Sequence, residues 1–329
     1  MFISKIESAN RSKGIAPYKM DDYAFLTKLN KNLSDLEIEL LDRDYISEKP
    51  NIFILGLPRS GTTLLSQVIF NHLDVGCTNN LIARFWDTPL IGTRLSRIVL
   101  GDSRSGQYNN LYANTEHITD PHEMAYFWRK HFMSYNVTES FPPERINQVD
   151  WEHLRAIIYN MNRLWEKSMV FKPLEIAGYY LEKFMEVFPR SVFIHIQRET
   201  FDTAISIAKA RLSLYNDLNS WFGTYPLEYE QLKDEPWWNQ IAGQMFYLNQ
   251  MYNSNITKSD AVRVIKVRYE EFCINPDKIL KEIIRKISVK YSYKLNLLCI
   301  PQSLKVSKPV LDDAIITKLK KGLCKYNLI

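Results

Sequence analysis

The feature that most constrains this chain is a strand-length apolar run that ends in a glycine-containing loop and continues as a helix. The run is residues 51–57 (NIFILGL), the loop is residues 56–61 (GLPRSG), and residues 62–73 (TTLLSQVIFNHL) have helical periodicity. Small residues let backbone N–H groups curl around an anion, and a helix N-terminus adds partial positive charge. The alternative is a plain turn that caps a helix. The flanking strand and the arginine favour an anion site.

The loop has the Gly-x4-Gly spacing of a Walker A motif, the phosphate loop of nucleoside triphosphatases. The position of the Walker lysine, directly after Gly61, holds Thr62, and the basic residue is instead Arg59, inside the loop. A plain NTPase with this loop would lack the lysine that contacts its β- and γ-phosphates. Thr62 and Thr63 can add hydroxyl donors to the site.

Strands and helices alternate along the chain beyond this loop. Apolar runs predict three further strands, at residues 169–172, 191–197 and 262–267. Residues 175–188 (EIAGYYLEKFMEVF) predict one helix after the first of them. This alternation predicts an α/β, three-layer fold with a central parallel sheet and helices on both faces, and ligands at the carboxyl ends of the strands. We expect one domain over residues 1–329, with a helical N-terminal extension over residues 1–48.

The net charge, the cysteine spacing and the apolar stretches limit the possible functions of the chain. Lys and Arg number 42 and Asp and Glu 37, a net charge of +5, which fits an anionic ligand better than a nucleic-acid surface. The four cysteines form no C-x-x-C pair, and no metal is expected. The chain has no apolar stretch of about 18 residues and no apolar core of a signal peptide. We therefore expect a cytoplasmic protein without a transmembrane segment.

The loop resembles the 5′-phosphosulfate loop of the sulfotransferases that use 3′-phosphoadenosine 5′-phosphosulfate (PAPS), including bacterial sulfotransferase-like proteins with a P-loop fold. That family has Pro-(Lys/Arg)-Ser-Gly-Thr-Thr after a strand, and this chain has Pro58-Arg59-Ser60-Gly61-Thr62-Thr63. The resemblance implies that these six residues bind PAPS, that adenosine 3′,5′-bisphosphate (PAP) is the product, and that the fold is a single α/β domain.

A second motif strengthens the resemblance. In the family, an arginine at the end of a strand and a serine eight residues later hold the 3′-phosphate. Arg198 follows the strand at 191–197, and Ser206 lies eight residues on. The alternative is that Arg198 pairs with Glu199 or Asp202. Residues 267–272 (VRYEEF) resemble a further family segment and add Arg268 to the nucleotide-binding candidates, so that the resemblance covers about residues 50–285.

The resemblance implies an in-line transfer of a sulfuryl group from PAPS to a hydroxyl, in which the protein stabilises charge and removes a proton. Arg59 and Lys172 are the candidate cations for the leaving group. The candidate bases are His117, His122 and Glu123. Tyrosylprotein sulfotransferases carry a glutamate about twenty residues past the loop. That position falls on Asn80, and an amide cannot act as a base.

The acceptor is less well defined by the sequence. Residues 215–240 are polar, aromatic and poorly periodic, and we interpret them as a candidate acceptor-facing lid, with plain core packing as the alternative. The expected acceptor is the hydroxyl of a glycan, a lipid-linked saccharide or a small metabolite. Two rival functions stay open: a P-loop kinase or NTPase, and a non-catalytic module that binds PAP or PAPS. The oligomeric state cannot be inferred.

Overall fold

A five-stranded parallel sheet forms the centre of the protein. The computed structural model describes residues 20–108, 110–111, 114–134, 140–173 and 175–329. In chain order the strands are β1 (Asn51–Gly56), β2 (Gly76–Cys77), β3 (Asn110–Leu111), β4 (Asn114–Thr115), β5 (Met169–Phe171), β6 (Ser191–Gln197) and β7 (Val264–Arg268). The sheet has the strand order β2-β5-β1-β6-β7, and a separate antiparallel hairpin consists of β3 and β4.

Helices cover both faces of the sheet. They are α1 (Met20–Asn32), α2 (Ser34–Leu40), α3 (Thr62–His72), α4 (Pro89–Leu100), α5 (Ala125–His131), α6 (Trp151–Trp165), α7 (Ile176–Tyr179), α8 (Leu181–Val187), α9 (Thr200–Tyr215), α10 (Tyr229–Leu232), α11 (Trp237–Lys258), α12 (Tyr269–Ile274), α13 (Pro276–Tyr291) and α14 (Asp313–Lys325). None of these helices has the length and apolar character needed to cross a membrane. The predicted three-layer α/β fold with a parallel central sheet is confirmed.

The side-chain alternation of β1 divides the core in two. Ile52 and Ile54 belong to a cluster that includes apolar residues of α3 and α13. Phe53 and Leu55 point to the opposite face, into a larger cluster with α6, α8 and α11. All four side chains are buried, as expected for a central parallel strand with helices on both sides.

The strand register brings the predicted site together. Gly56 at the end of β1 pairs with Ile196 of β6, and Gln197 pairs with Arg268 of β7. Because parallel strands end at the same edge of the sheet, the loop after β1 and the residues after β6 and β7 lie side by side.

Several boundaries differ from the sequence prediction. The single helix expected over residues 175–188 is two short helices, α7 and α8, because the backbone leaves the helical region at Tyr180. The hydroxyl of Tyr180 there donates to the carbonyl oxygen of Pro142, at 2.8 Å. The last strand begins at Val264, after a short 3-10 turn.

The predicted N-terminal extension contains the helices α1 and α2, while residues 1–19 lie outside the described part. Two buried side chains attach the extension to the domain. Asn30 donates to the carbonyl oxygen of Arg84, at 2.8 Å. The Glu37 carboxylate accepts the N–H groups of Leu90 and Ile91 in the first turn of α4, at 2.8 and 2.9 Å. Burial raises the pKa of Glu37 to about 7, although both hydrogen bonds act in the opposite direction.

Candidate active site

The loop after β1 curves tightly before α3 begins at Thr62. The backbone N–H of Ser60 donates to the carbonyl oxygen of Leu57 at 3.2 Å, and the Ser60 hydroxyl donates to the same oxygen at 2.8 Å. Arg59 and Gly61 both have positive φ, 68° and 101°. A Cβ on Gly61 would lie 2.5 Å from the Tyr269 ring, so this position requires glycine. The N-terminus of an eleven-residue helix thus faces the space inside the loop.

The two predicted anion motifs meet in the structure. The Arg59 guanidinium donates from Nε to the Ser206 hydroxyl on α9, at 3.1 Å. Nη1 of Arg198 donates to the carbonyl oxygen of Arg59, at 3.3 Å. Of the two acidic neighbours considered as partners of Arg198, Glu199 accepts the N–H groups of Phe201 and Asp202 and caps α9. The other, Asp202, interacts with Arg198 through its charge.

Arg198 has two further contacts that the sequence did not predict. The Arg198 guanidinium lies 4.7 Å from the centre of the Tyr269 ring, and its Nη2 donates to the carbonyl oxygen of Ser307. The backbone N–H of Ser307 in turn lies 3.3 Å from the Tyr269 hydroxyl. The signal for Tyr269 was its place in the VRYEEF segment, directly after β7. Arg268, the residue chosen from that segment, is exposed at the end of β7.

The predicted second cation lies beside the loop. Lys172 Nζ donates to the Thr63 hydroxyl at 2.9 Å and forms an ion pair with Glu123 Oε2 at 3.0 Å. Burial raises the pKa of the Glu123 carboxyl, but the charge of Lys172 and the hydrogen bond it donates outweigh burial and bring this pKa below its ordinary value. At neutral pH Glu123 is therefore a carboxylate, and its partner Lys172 is hydrogen-bonded to Thr63 in the first turn of α3.

His122 adjoins this pair. Its Nδ1 accepts the backbone N–H of Met124 at 2.8 Å, so Nδ1 is unprotonated and the ring proton is on Nε2. Burial lowers the pKa of His122 to about 4; Glu123 opposes this shift, and the cations Lys172 and Arg84 add to it. His122 is thus a neutral imidazole whose one lone pair already has a partner.

His117 lies after the β3–β4 hairpin. Its Nε2 contacts Gln107 Oε1 at 3.0 Å. Asn80, at the position of the glutamate in tyrosylprotein sulfotransferases, donates to the carbonyl oxygen of His117 at 2.7 Å and to the Thr115 hydroxyl at 2.9 Å. Asn80 therefore serves to attach the hairpin. In the described part of the chain, neither side chain contacts Lys172 or the loop.

The 215–240 segment packs directly against the loop. Gly223 contacts Pro58, and the amide of Gln244 donates to the carbonyl oxygens of Phe222 and Thr224 at 2.9 and 2.7 Å. Trp221 is buried over the guanidinium of the fully buried Arg211. Further along, Leu227 and Glu228 help to line a groove of about 310 Å³ against α11. The segment thus combines core packing with an open groove.

The described residues contain no group of three or more His, Cys, Asp or Glu side chains placed to hold a metal ion. Arg59, Arg198 and Lys172 place positive charge at the loop.

A tight loop between the central strand of a parallel sheet and a helix, with an arginine directly after the neighbouring strand beside it, defines an α/β protein with a P-loop-like fold. The chain belongs to the sulfotransferase family, whose family model matches residues 50–293. This confirms the family that the loop and the Arg198 motif predicted. No curated protein sequence matches the chain.

Solved sulfotransferase structures are similar to the chain in fold. A sulfotransferase from Mycobacterium tuberculosis has a TM-score of 0.51 and 17% identity, with 92% of this chain and 79% of that chain covered. A sulfotransferase from Mycobacterium avium has a TM-score of 0.45 and 13% identity, with 98% of this chain and 87% of that chain covered. A sulfotransferase from Alicyclobacillus acidocaldarius has a TM-score of 0.41 and 14% identity, with 85% of this chain and 93% of that chain covered.

Proposed function

We propose that this protein transfers a sulfuryl group from PAPS to the hydroxyl of a glycan, a lipid-linked saccharide or a small metabolite. One observation carries the proposal: the hydrogen bond of 3.1 Å between Arg59 of the loop and Ser206 of α9. It joins the segment that resembles a 5′-phosphosulfate loop to the segment that resembles a 3′-phosphate site. A nucleotide with phosphate groups at both its 3′ and 5′ positions would contact the two segments at once.

The residues fit such a ligand. The Nε of Arg198 is buried and has no hydrogen-bond partner among the described residues. A buried guanidinium N–H without an acceptor is costly, and a phosphate oxygen is an acceptor that would satisfy it. Ser206, Arg198 and Arg268 are the residues we assign to the 3′-phosphate. Pro58 to Thr63, with the first turn of α3, are those we assign to the 5′-phosphosulfate.

The leaving group in this transfer is the bisphosphate of the donor, on which negative charge grows as the bond to sulfur breaks. Arg59 and Lys172 are the cations that stabilise this charge. Arg59 is held by Ser206, and Lys172 is held by Thr63 and Glu123, so both cations are oriented before the reaction. Preorganised charge of this kind usually accelerates an enzymatic reaction more than any other single effect.

Glu123 is the candidate base that we favour. Its carboxylate is ionised at neutral pH, and it lies 3.0 Å from Lys172 at the edge of the loop. His122 uses its free lone pair on the N–H of Met124, and His117 contacts Gln107. A carboxylate with a lowered pKa is a weak base. In a loose transition state, however, the acceptor needs little prior deprotonation.

The test is transfer of radioactive sulfate from ³⁵S-labelled PAPS. Purified protein is incubated with labelled PAPS and either 4-nitrophenol or a set of simple saccharides, and PAP formation is followed in parallel. The proposal predicts PAP formation that is about 10²–10³ times slower in the Arg59→Ala variant. If the protein leaves PAPS intact but consumes ATP with magnesium, it is a kinase or NTPase. If it binds PAP with no turnover on any probe, including water, it is a binding module.

A further inference from the structure

Gly223 is in contact with the phosphosulfate-type loop through Pro58. A Cβ on Gly223 would lie 2.8 Å from Cγ and 3.0 Å from Cβ of Pro58, and the φ of Gly223 is +79°. Distances below 3.0 Å are not tolerated without movement, and the pyrrolidine ring cannot rotate away as a flexible side chain can. The backbone at Gly223 therefore lies against the proline ring, and no other residue fits there without displacing one of the two.

The turn that carries Gly223 is fixed from several sides. Gln244 is fully buried on α11, and its amide holds the carbonyl oxygens of Phe222 and Thr224. The Thr224 hydroxyl donates to the buried carboxylate of Glu175, at 3.2 Å. The indole of Trp221 donates to the carbonyl oxygen of Thr224, also at 3.2 Å. A turn with this many buried hydrogen bonds is a rigid support for whatever packs on it.

Arg59, directly after Pro58, needs such a support. Its φ of +68° is one that residues with a Cβ rarely adopt. A backbone of this kind persists only where its surroundings hold it in place. Arg198 holds the Arg59 carbonyl oxygen on one side, at 3.3 Å. On the other side, Arg59 is bonded to Pro58, whose ring packs against Gly223.

We propose that Gly223 is a positioning residue for the transfer reaction and acts through Pro58 on Arg59. Within this inference, which rests on the proposed function, the turn at residues 221–224 supports the loop through the contact of Gly223 with Pro58. A side chain at Gly223 moves Pro58, and Arg59 then loses the orientation in which it stabilises the leaving group. Arg198 and Ser206, which we assign to the 3′-phosphate, lie outside this contact, so nucleotide binding should change less than turnover.

The first test compares two glycine variants. Gly223→Ala adds a methyl group against Pro58, whereas the matched control Gly106→Ala adds one at a similar φ, +65°, with nothing within 4 Å. Single-turnover consumption of PAPS, with 4-nitrophenol as the acceptor probe, is measured with enzyme in excess. Gly223→Ala should slow this single turnover about ten- to hundredfold, because a small misplacement of a catalytic group affects the chemical step. The dissociation constant of PAP, measured separately, should change by a smaller factor. Equal turnover in the two variants would overturn the proposal.

The second test asks whether Pro58 transmits the effect. Gly223→Ala is repeated in a Pro58→Ala background, where the ring that the new methyl group meets has been removed. The cost of Gly223→Ala should then shrink to about threefold or less, as expected for two residues in direct contact. An unchanged cost in that background would show that Gly223 does not act through Pro58.

A third measurement does not depend on catalysis. Hydrogen exchange of residues 59–62, followed by mass spectrometry, should be faster in Gly223→Ala than in the wild type and unchanged in Gly106→Ala. Thr224→Val, which loses the hydroxyl bond to Glu175, should show the same change, and Thr224→Ser should not. If the wild type neither binds PAP nor consumes PAPS, the proposed function fails, and the exchange comparison still decides whether Gly223 holds the loop.

Discussion

Replacing Lys172 by methionine tests the electrostatics of the candidate site most fully. The change removes the ammonium that lies 3.0 Å from Glu123 and 2.9 Å from the Thr63 hydroxyl, and it keeps most of the apolar stem. The side chains of Lys172 and Glu123 are only 10% and 28% exposed, so solvent screens the pair weakly. Without the ammonium, burial is left as the main influence on the Glu123 carboxyl, and burial raises its pKa.

The direction of the change follows from the charges. An opposite charge beside a carboxyl favours its ionised form and lowers its pKa, so loss of the Lys172 ammonium raises the pKa of Glu123. If Glu123 is the base, the acid side of the rate profile reports this pKa. We therefore expect that side of the profile to move to higher pH, together with a fall in turnover of about 10²–10³ because a cation at the leaving group is gone.

The assay is the pH dependence of single-turnover PAPS consumption between pH 4 and 9, with circular dichroism to confirm folding at each pH. Glu123→Gln is the control, because an amide cannot titrate, and it should remove the acid side of the profile altogether. An acid side that lies at the same pH in the wild type and in Lys172→Met would refute the assignment of Glu123 as the base held by Lys172.

Three further predictions concern the leaving group, the core and metal independence. Arg59→Ala should lower turnover by about 10²–10³ with a smaller effect on PAPS binding, and Arg59→Lys should keep part of the activity, as a comparison of kcat and KM will show. Burial lowers the pKa of His195 to about 4, from an ordinary 6.5. The free energy of unfolding therefore falls by about 2 kcal/mol between pH 7 and 5, because the unfolded chain takes up the proton. In the His195→Leu variant, the free energy of unfolding from urea denaturation should depend less on pH in that range. Sulfuryl transfer should survive EDTA, because Arg59 and Lys172 supply the positive charge; loss of activity that magnesium restores would favour a kinase.

The loop and its family could be predicted because the information is local. A strand, a tight turn and a helix N-terminus are consecutive in sequence, and an anion loop needs little else. The pair Arg198 and Ser206 has a fixed spacing across a strand end and a helix. The structure adds that Ser206 meets Arg59 and that Arg198 holds the loop carbonyl.

Contacts between distant segments could not be predicted. Ser307 follows Arg198 by more than a hundred positions, in a stretch without periodicity, yet its carbonyl oxygen accepts from the Arg198 guanidinium. The contact of Gly223 with Pro58 depends on where α11 holds Gln244. In each case the role of the residue depends on the tertiary structure, which residue type and spacing do not predict.

The central claim is that the site takes a nucleotide with phosphates at both its 3′ and 5′ positions, and thermal unfolding with PAP and with 5′-AMP tests it most directly. At a hundredfold excess over its dissociation constant, a ligand of the folded state adds about 2.7 kcal/mol of stability. PAP should therefore raise the melting temperature of the wild type clearly, 5′-AMP at the same concentration much less, and Arg198→Ala should remove most of the difference. Equal shifts with PAP and 5′-AMP, or a preference that persists in Arg198→Ala, would contradict the account.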